Sequence, residues 1–173
     1  MIPFNKSSLE GKELDYIYET ISNGQIAGNQ MFSIRSQVFL EKHIGTTKAL
    51  LTTSCTHALE MSALLIGISP GDEIILPAFT FVSTANAFVL HGAKPVFCDI
   101  RPDTLNLDES KLEALITQKT KAIIPVHYAG IGCEMEMIME IASRHGVTVV
   151  EDNAHGLFGK YRGKHLGTFG SLA

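Results

Sequence analysis

The sequence predicts an α/β fold in which a mainly parallel sheet is covered by helices on both faces. From residue 45 onward, short apolar segments alternate with segments of helical periodicity. The apolar segments span only four or five residues and are rich in Val, Ile and Leu, as is typical of strands buried on both faces. No fixed-period repeat or low-complexity linker interrupts this alternation. We therefore expect a helical segment at about 1–45, followed by one α/β part at about 46–173.

The first segment carries the pattern of two helices. Apolar residues at helical spacing predict a helix over 9–21, and Asn23-Gly24 supplies a stop. The residues that form its apolar stripe are Leu14, Ile17, Tyr18 and Ile21. A second helix is predicted over 32–43, and the glycine-bearing stretch 24–30 is predicted to be a loop.

The α/β part divides into five strands and four helices. Its predicted strands lie at 49–52, 73–76, 95–98, 122–126 and 147–150. Its predicted helices lie at 57–66, 83–90, 109–116 and 135–145. The stretch from Gly163 to the last residue resembles a hairpin arm that leads into a further strand.

Composition narrows the class of protein. The 173 residues carry a formal charge of −4, and their fourteen Lys and Arg are scattered, which argues against nucleic acid or an anionic membrane as the main partner. No signal-peptide pattern and no apolar run long enough to span a bilayer occur, so we expect a cytoplasmic protein. Three widely spaced cysteines indicate neither a disulfide framework nor a metal site.

The most informative segment is EDNAH at 151–155, which directly follows the predicted strand 147–150. Open α/β sheets bind ligands at the carboxyl ends of their strands. A carboxylate at this edge, Asp152, can pair with a cationic ring nitrogen. His155 can contact the ring of a group held there, or can be a loop histidine bonded to backbone. Glu151 points to the opposite side of an extended chain, so we expect it to be structural.

A second polar segment, at 51–60, passes from hydroxylated residues into a helix. The residues at the helix start are Ser54, Cys55, Thr56 and His57. Backbone N–H groups and hydroxyls at a helix start suit a phosphate. The alternative is an ordinary N-cap, because Ser and Thr are common there without any anion.

Two more strand ends carry aromatic residues. Phe81 follows the strand 73–76 and can stack on a flat heterocycle, although Phe79 and Phe81 can also simply cap the core. His127 and Tyr128 follow the strand 122–126 and can line a substrate pocket, although a lone histidine is more often a structural hydrogen-bonding residue. The four segments together offer groups for a phosphate, a flat ring and a cationic nitrogen, and pyridoxal 5′-phosphate (PLP) has all three.

The order of these motifs resembles a known family. The chain contains, in this order, the motifs TSCTHAL (53–59), PGDEIILP (70–77), TFVSTAN (80–86), PVHYAG (125–130) and EDNAH (151–155). This set, which with the flanking sequence runs from residue 2 to the last residue, is similar to the DegT/DnrJ/EryC1/StrS family of sugar-nucleotide aminotransferases. Within the family the resemblance is to enzymes that aminate dTDP-4-keto-6-deoxyglucose at C4, on the route to enterobacterial common antigen and related surface glycans.

The resemblance implies the large domain of a fold type I PLP-dependent aminotransferase, which works as a homodimer with an amino-acid donor such as glutamate. Cys55, Thr56 and His57 match the phosphate-binding helix start, and Phe81 matches the aromatic residue that stacks on the pyridine ring. Asp152 matches the partner of the ring nitrogen, and His155 matches the residue near the ring oxygen. Asn153 stands where the family usually has Ala, which leaves Asp152 undisturbed.

One departure from the family pattern concerns the lysine. The family's Schiff-base lysine lies in a motif of the form SFxxxK, and none of the ten lysines in this chain lies in such a motif. The resemblance therefore implies an N-terminal portion without the C-terminal small domain, inactive on its own. Two alternatives stay open: a non-catalytic remnant or binding fragment, and a PLP-dependent sugar dehydratase, which belongs to a branch of the family with His at the lysine position.

Overall fold

The computed structural model describes residues 6–173, so the first five residues of the predicted helical segment lie outside the described residues. The chain divides into two compact units. One takes in the chain up to His43 together with Thr47–Leu51, and the other takes in Ile44–Thr46 and Thr52–Ala173.

The first unit contains two helices, α1 (Glu13–Ser22) and most of α2 (Met31–Ile44). Helix α1 begins four residues later than predicted, because the Glu13 carboxylate accepts the amide of Gly11 at 2.8 Å and so closes a turn ahead of the helix. The Tyr16 ring of α1 lies 5.0 Å from the ring of Phe32 on α2. No residue of α1 is buried, so its predicted apolar stripe faces outward in the described chain.

The second unit is built on a four-stranded parallel sheet. Its strands are β1 (Glu73–Pro77), β2 (Lys94–Cys98), β3 (Thr120–Ile123) and β4 (Thr148–Val149). They lie in the order β2-β1-β3-β4, and every neighbouring pair is parallel. The helices are α3 (Cys55–Leu65), α4 (Val82–Val89), α5 (Glu109–Leu112) and α6 (Met135–His145). An antiparallel hairpin, β5 (Lys160–Tyr161) and β6 (Lys164–His165), follows the sheet.

Alternate side chains of the strands enter two separate cores. Ile75 and Ile123 pack with residues of α5 and α6, whereas Ile74 and Ala122 pack with residues of α3 and α4. This alternation follows from the period of two along a strand. The helices therefore cover both faces of the parallel sheet, which confirms the predicted fold class.

The order of the strands defines where a ligand can enter. The chain passes from β1 to β2 on one side of β1, and then crosses to β3 on the other side. The connections that follow β1 and β3 therefore leave the sheet in opposite directions, and such a switch point is where open α/β sheets bind ligands.

Besides α1, four predicted elements differ from the structure, and one of them is β3, which runs from Thr120 to Ile123 and not over 122–126. The strand predicted at 49–52 is wrong, because no described segment pairs with it and Leu50 stays 63% exposed. The helix predicted at 109–116 ends as an α-helix at Leu112 and continues only as a 3₁₀ turn, Glu113–Leu115. Strand β4 has two residues instead of four, because Val150 already pairs in an isolated bridge with Leu172.

None of the helices within residues 6–173 is both long and apolar enough to cross a membrane.

Candidate functional site

The centre of the site is Asp152, which lies just beyond the end of β4. Its backbone is fixed because its amide donates to the carbonyl of Pro125 at 2.9 Å and its carbonyl accepts the amide of His127 at 3.1 Å. Its side chain is only 5% exposed. Oδ2 accepts a hydrogen bond from the Thr84 hydroxyl at 2.7 Å, and Oδ1 accepts the Ala154 amide at 3.2 Å. The carboxylate therefore has a fixed orientation at the carboxyl edge of the sheet.

The start of α3 lies next to this carboxylate. The Cys55 Sγ is 3.9 Å from Asp152 Oδ1, and the Thr56 hydroxyl donates to Ser83 on α4 at 3.0 Å. Ser54 is the N-cap of α3, since its hydroxyl oxygen accepts the amide of His57 at 3.2 Å. The capping alternative thus describes what Ser54 does in this structure, and the cap also holds the helix start in place beside Asp152.

The electrostatic character of this edge of the sheet changes over the short distance from the start of α3 to Asp152. The N-terminus of α3 carries the positive end of the helix dipole, which favours an anion. Asp152 favours a cation. Burial, followed by the nearby Asp152 charge, raises the pKa of the Cys55 thiol to about 11, so Cys55 is a neutral thiol near pH 7. The edge can therefore hold one ligand that carries an anionic group and a cationic nitrogen.

Phe81 is the residue that precedes α4, and its side chain is 70% exposed. Phe81 therefore does not cap the core. The alternative that is left for this residue is an exposed aromatic surface. Phe79 is partly exposed, and its ring lies 4.6 Å from the ring of Tyr128. The loop after β1 thus presents aromatic side chains at the same edge as Asp152.

Tyr128 and His155 lie together. Their rings meet edge to face with centroids 5.3 Å apart, and the Ala129 amide donates to His155 Nδ1 at 3.2 Å. The Tyr128 amide donates to Asn106 Oδ1 at 3.0 Å, which fixes the turn after β3. His155 is therefore bonded to backbone, as its structural alternative predicted, and its ring still borders the loop that follows Asp152.

His127 does not line a pocket, contrary to the prediction. Its side chain is fully buried, and both ring nitrogens are engaged. Nδ1 accepts the Cys133 amide at 3.2 Å, so Nε2 carries the proton and donates to Glu151 Oε2 at 2.9 Å. The physical reason is that the chain turns after Val126 and directs the His127 ring towards Glu151 and Cys133, away from Asp152.

Glu151 is structural, as predicted, but its environment is unusual. Its carboxylate is fully buried and accepts the amides of Gly167, Phe169 and Gly170 at 2.7–2.8 Å. Burial raises the pKa of Glu151, but the hydrogen bonds from His127 and from the Gly170 and Gly167 amides outweigh it and leave the pKa below its usual value. Glu151 thereby holds the segment after the hairpin against the end of β4.

Sequence reasoning missed Thr84 and Asn106. Both are buried and both fix the site, Thr84 through Asp152 and Asn106 through the turn at Tyr128. A signal for Thr84 exists, since a hydroxyl on the buried face of a short apolar helix needs a partner. Asn106 lies 22 residues from the turn it holds, and no local pattern indicates that contact.

The structure therefore brings together the start of α3, the first turn of α4, the end of β4 and the turn after β3. Asp152 and Thr84 are buried, the exposed Cys55 and the partly buried Thr56 lie at the start of α3 beside them, and Phe81, Tyr128 and His155 lie in the flanking loops. In the described residues no group of three or more His, Cys, Asp or Glu is placed to hold a metal ion.

Comparisons with known proteins find related sequences. The sequence pattern of the DegT/DnrJ/EryC1/StrS aminotransferase family matches residues 8–173. GDP-perosamine synthase of Caulobacter vibrioides is 41% identical over 95% of this chain and 44% of its own length. Spore coat polysaccharide biosynthesis protein SpsC of Bacillus subtilis is 38% identical over 98% of the chain and 43% of its own length.

A solved structure has a similar fold. NtdA of Bacillus subtilis with bound cofactor PMP superposes with a TM-score of 0.83 at 33% identity, over 90% of this chain and 35% of that protein. The chain spans less than half of the length of each of these three proteins.

Proposed function

The chain belongs to the DegT/DnrJ/EryC1/StrS aminotransferase family, and from that premise we propose that it forms the PLP-holding part of a sugar-nucleotide aminotransferase. The observation that carries the proposal is the Asp152 carboxylate, which is almost fully buried and hydrogen-bonded in one orientation beside the N-terminus of α3. A buried carboxylate needs a partner of opposite charge or good hydrogen bonds, and a pyridinium nitrogen supplies the first.

The residues fit this cofactor. Ser54, Cys55, Thr56 and His57 form a helix start whose amides and hydroxyls suit a phosphate, and the Asp152 carboxylate lies 3.9 Å from the Cys55 sulfur. Phe81 offers an exposed aromatic face, and His155 and Tyr128 border the same edge. PLP, when bound, supplies an electron sink that lets an amino group pass between an amino acid and a keto-sugar.

Each residue has a defined part in that chemistry. Asp152 keeps the ring nitrogen protonated and orients the ring. The start of α3 binds the phosphate and so fixes the other end of the ring. Phe81 stacks on the ring face and keeps water from it, and His155 accepts or donates a hydrogen bond near the ring oxygen. Tyr128 forms part of the wall on the substrate side.

No lysine occurs in the four segments that form the site, 54–57, 78–84, 125–130 and 152–155. Transamination needs an amine that carries the cofactor and moves protons between carbons. We propose that this 173-residue chain holds PLP through non-covalent contacts alone and does not turn over substrate by itself.

The names of the relatives support the substrate class that we propose. One carries the name GDP-perosamine synthase and another is named for spore coat polysaccharide biosynthesis, which supports a keto-sugar nucleotide as acceptor and a surface glycan as destination. In particular we propose a dTDP-4-keto-6-deoxy-hexose, a donor such as glutamate, a homodimeric whole enzyme and a cytoplasmic location. Equilibrium binding of dTDP and GDP, compared side by side, tests the choice of nucleotide.

The experiment is a titration of the purified chain with PLP, in which equilibrium dialysis measures the binding. We expect saturable binding that the Asp152→Asn variant weakens about tenfold or more, because a charge-assisted hydrogen bond is lost. The matched control is Asp72→Asn. Asp72 accepts the Ser69 amide at 2.9 Å before β1 begins, at the opposite edge of the sheet, so its loss should leave PLP binding unchanged.

Two outcomes contradict the proposal. If Asp152→Asn and Asp72→Asn bind PLP as tightly as the parent chain, Asp152 is not the partner of the ring nitrogen. If borohydride reduction fixes one equivalent of PLP on a single lysine of this chain, the binding is not purely non-covalent.

A further inference from the structure

A chain of hydroxyl groups stands behind Asp152. The Thr80 and Thr84 hydroxyls are 2.8 Å apart, and the Thr84 hydroxyl is 2.7 Å from Asp152 Oδ2. Thr84 is fully buried in the first turn of α4. This chain connects the loop after β1 to the end of β4, across the switch point of the sheet.

The direction of the hydrogen bonds follows from the groups involved. An ionised carboxylate only accepts, so the single hydroxyl proton of Thr84 goes to Asp152. The Thr84 oxygen is then free to accept the proton of Thr80. Since Thr84 is inaccessible to water, water does not compete for the bond, which is stronger there than at a surface.

We infer that Thr84 is the positioning residue that fixes the Asp152 carboxylate for the cofactor ring nitrogen, an inference that rests on the proposed function. Three groups approach this carboxylate. The Ala154 amide lies two residues away in the same turn and moves with Asp152, and the Cys55 thiol is a weak donor at 3.9 Å. Thr84 alone among them is a strong donor from another element.

The hydrogen bond from Thr84 also acts on the carboxylate itself. A hydrogen bond to the charged form of a carboxylate favours that form. Thr84 therefore supports the anion that pairs with the ring, and it occupies Oδ2 so that Oδ1 faces the start of α3.

The test uses two substitutions in the full chain. Thr84→Val removes the hydroxyl and keeps the shape, whereas Thr84→Ser keeps the hydroxyl. We expect Thr84→Val to bind PLP about tenfold more weakly. Thr84→Ser should keep the PLP affinity of the parent, which separates the hydroxyl from a general structural effect.

Thr117→Val is the matched control. The Thr117 hydroxyl donates to Glu73 Oε2 at 2.7 Å, so the same kind of bond is removed at the amino end of β1. We expect a lower thermal stability for this variant, and a PLP affinity equal to that of the parent.

The inference and the proposed function fail in different ways. If Asp152→Asn weakens PLP binding and Thr84→Val leaves the PLP affinity unchanged, only the role of Thr84 is overturned. If the parent chain does not bind PLP, the proposed function fails, and Thr84 is judged by the ¹³C NMR chemical shift of the Asp152 γ-carbon without PLP. There, an equal chemical shift in Thr84→Val and in the parent overturns the inference, and a chemical shift that changes in Thr84→Val and is restored in Thr84→Ser supports it.

Discussion

At the scale of single residues, Cys55 reports on the charge of Asp152. Burial and the Asp152 charge together raise the pKa of Cys55 to about 11, so little thiolate is available near pH 8. Asp152→Asn removes the charge, and we expect iodoacetamide to alkylate Cys55 a few-fold faster in that variant. Residue-resolved mass spectrometry measures the rates.

Cys98 serves as an internal control in the same digest. Its pKa is also raised to about 11, by burial and by Asp108 and Asp99, none of which involves Asp152. The alkylation rate of Cys98 should therefore be the same in the parent and in Asp152→Asn. Equal alkylation rates of Cys55 in the parent and in Asp152→Asn would contradict the contact between Cys55 and Asp152.

Glu151 makes stability depend on pH. Its pKa is lowered in the folded chain, so its contribution is fully present above the pKa of an unfolded glutamate, about 4.3, and is lost as the pH falls through the lower folded value. At pH 7 we expect Glu151→Gln to lose about 3 kcal/mol in free energy of unfolding, because the amide nitrogen cannot accept the protons of its donors. Urea unfolding at several pH values measures this loss in free energy of unfolding.

The control for this prediction is Glu113→Gln. Glu113 is 46% exposed and pairs with Arg144 and His145, so its loss should cost less than about 1 kcal/mol. The difference in free energy of unfolding between the parent and Glu151→Gln should become smaller as the pH is lowered. A difference that stays constant from pH 7 to pH 3 refutes the assigned charge.

Which site residues could be predicted depends on how local their partners are. Asp152 follows directly from a strand end, so the pattern alone points to it. Thr84 acts on a residue 68 positions away, and the fate of His127 depends on partners 6 and 24 positions away. The sequence shows that a histidine follows β3, but the side to which its ring turns is decided by those distant contacts.

At the scale of elements, the apolar periodicity of a segment and the presence of a neighbour that packs or pairs with it are separate questions. The apolar spacing of 9–21 correctly predicts a helix, but in the described chain that stripe is exposed on α1. The segment 49–52 has the composition of a strand, but a strand exists only when a neighbour completes its hydrogen bonds. Periodicity therefore predicted β1, β3, α3 and α6, whose partners lie within the same unit. It failed for the segment 49–52, and for α1 it predicted the helix but not the exposure of its stripe.

Helix α1 should therefore exchange its amide protons quickly. An isolated helix of ten residues is marginal in water, and α1 gains no buried side chain to stabilise it. We expect hydrogen–deuterium exchange of α1 to be at least about 100-fold faster than that of α3, a helix of eleven residues that buries Leu59 and Ala63. Mass spectrometry of peptic peptides measures both in one sample. Equal protection of α1 and α3 would show that α1 packs against something.

At the scale of the whole molecule, exposed apolar side chains should make the purified chain associate. Leu64, Leu65 and Leu90 are 64%, 67% and 72% exposed on α3 and just after α4. Burying one leucine contributes about 1.5–3 kcal/mol, so the variant with Leu64→Lys and Leu90→Lys should associate at least about tenfold more weakly. Sedimentation velocity at several concentrations measures the change.

The two lysines also reduce the net charge from its formal value of −4, which by itself promotes association. A variant with Asn86→Lys and Gln118→Lys carries the same two charges and keeps every leucine. We expect it to associate as strongly as the parent or more strongly. Equal weakening in both variants would assign the association to charge, and unchanged association in the leucine variant would place the contact on another surface.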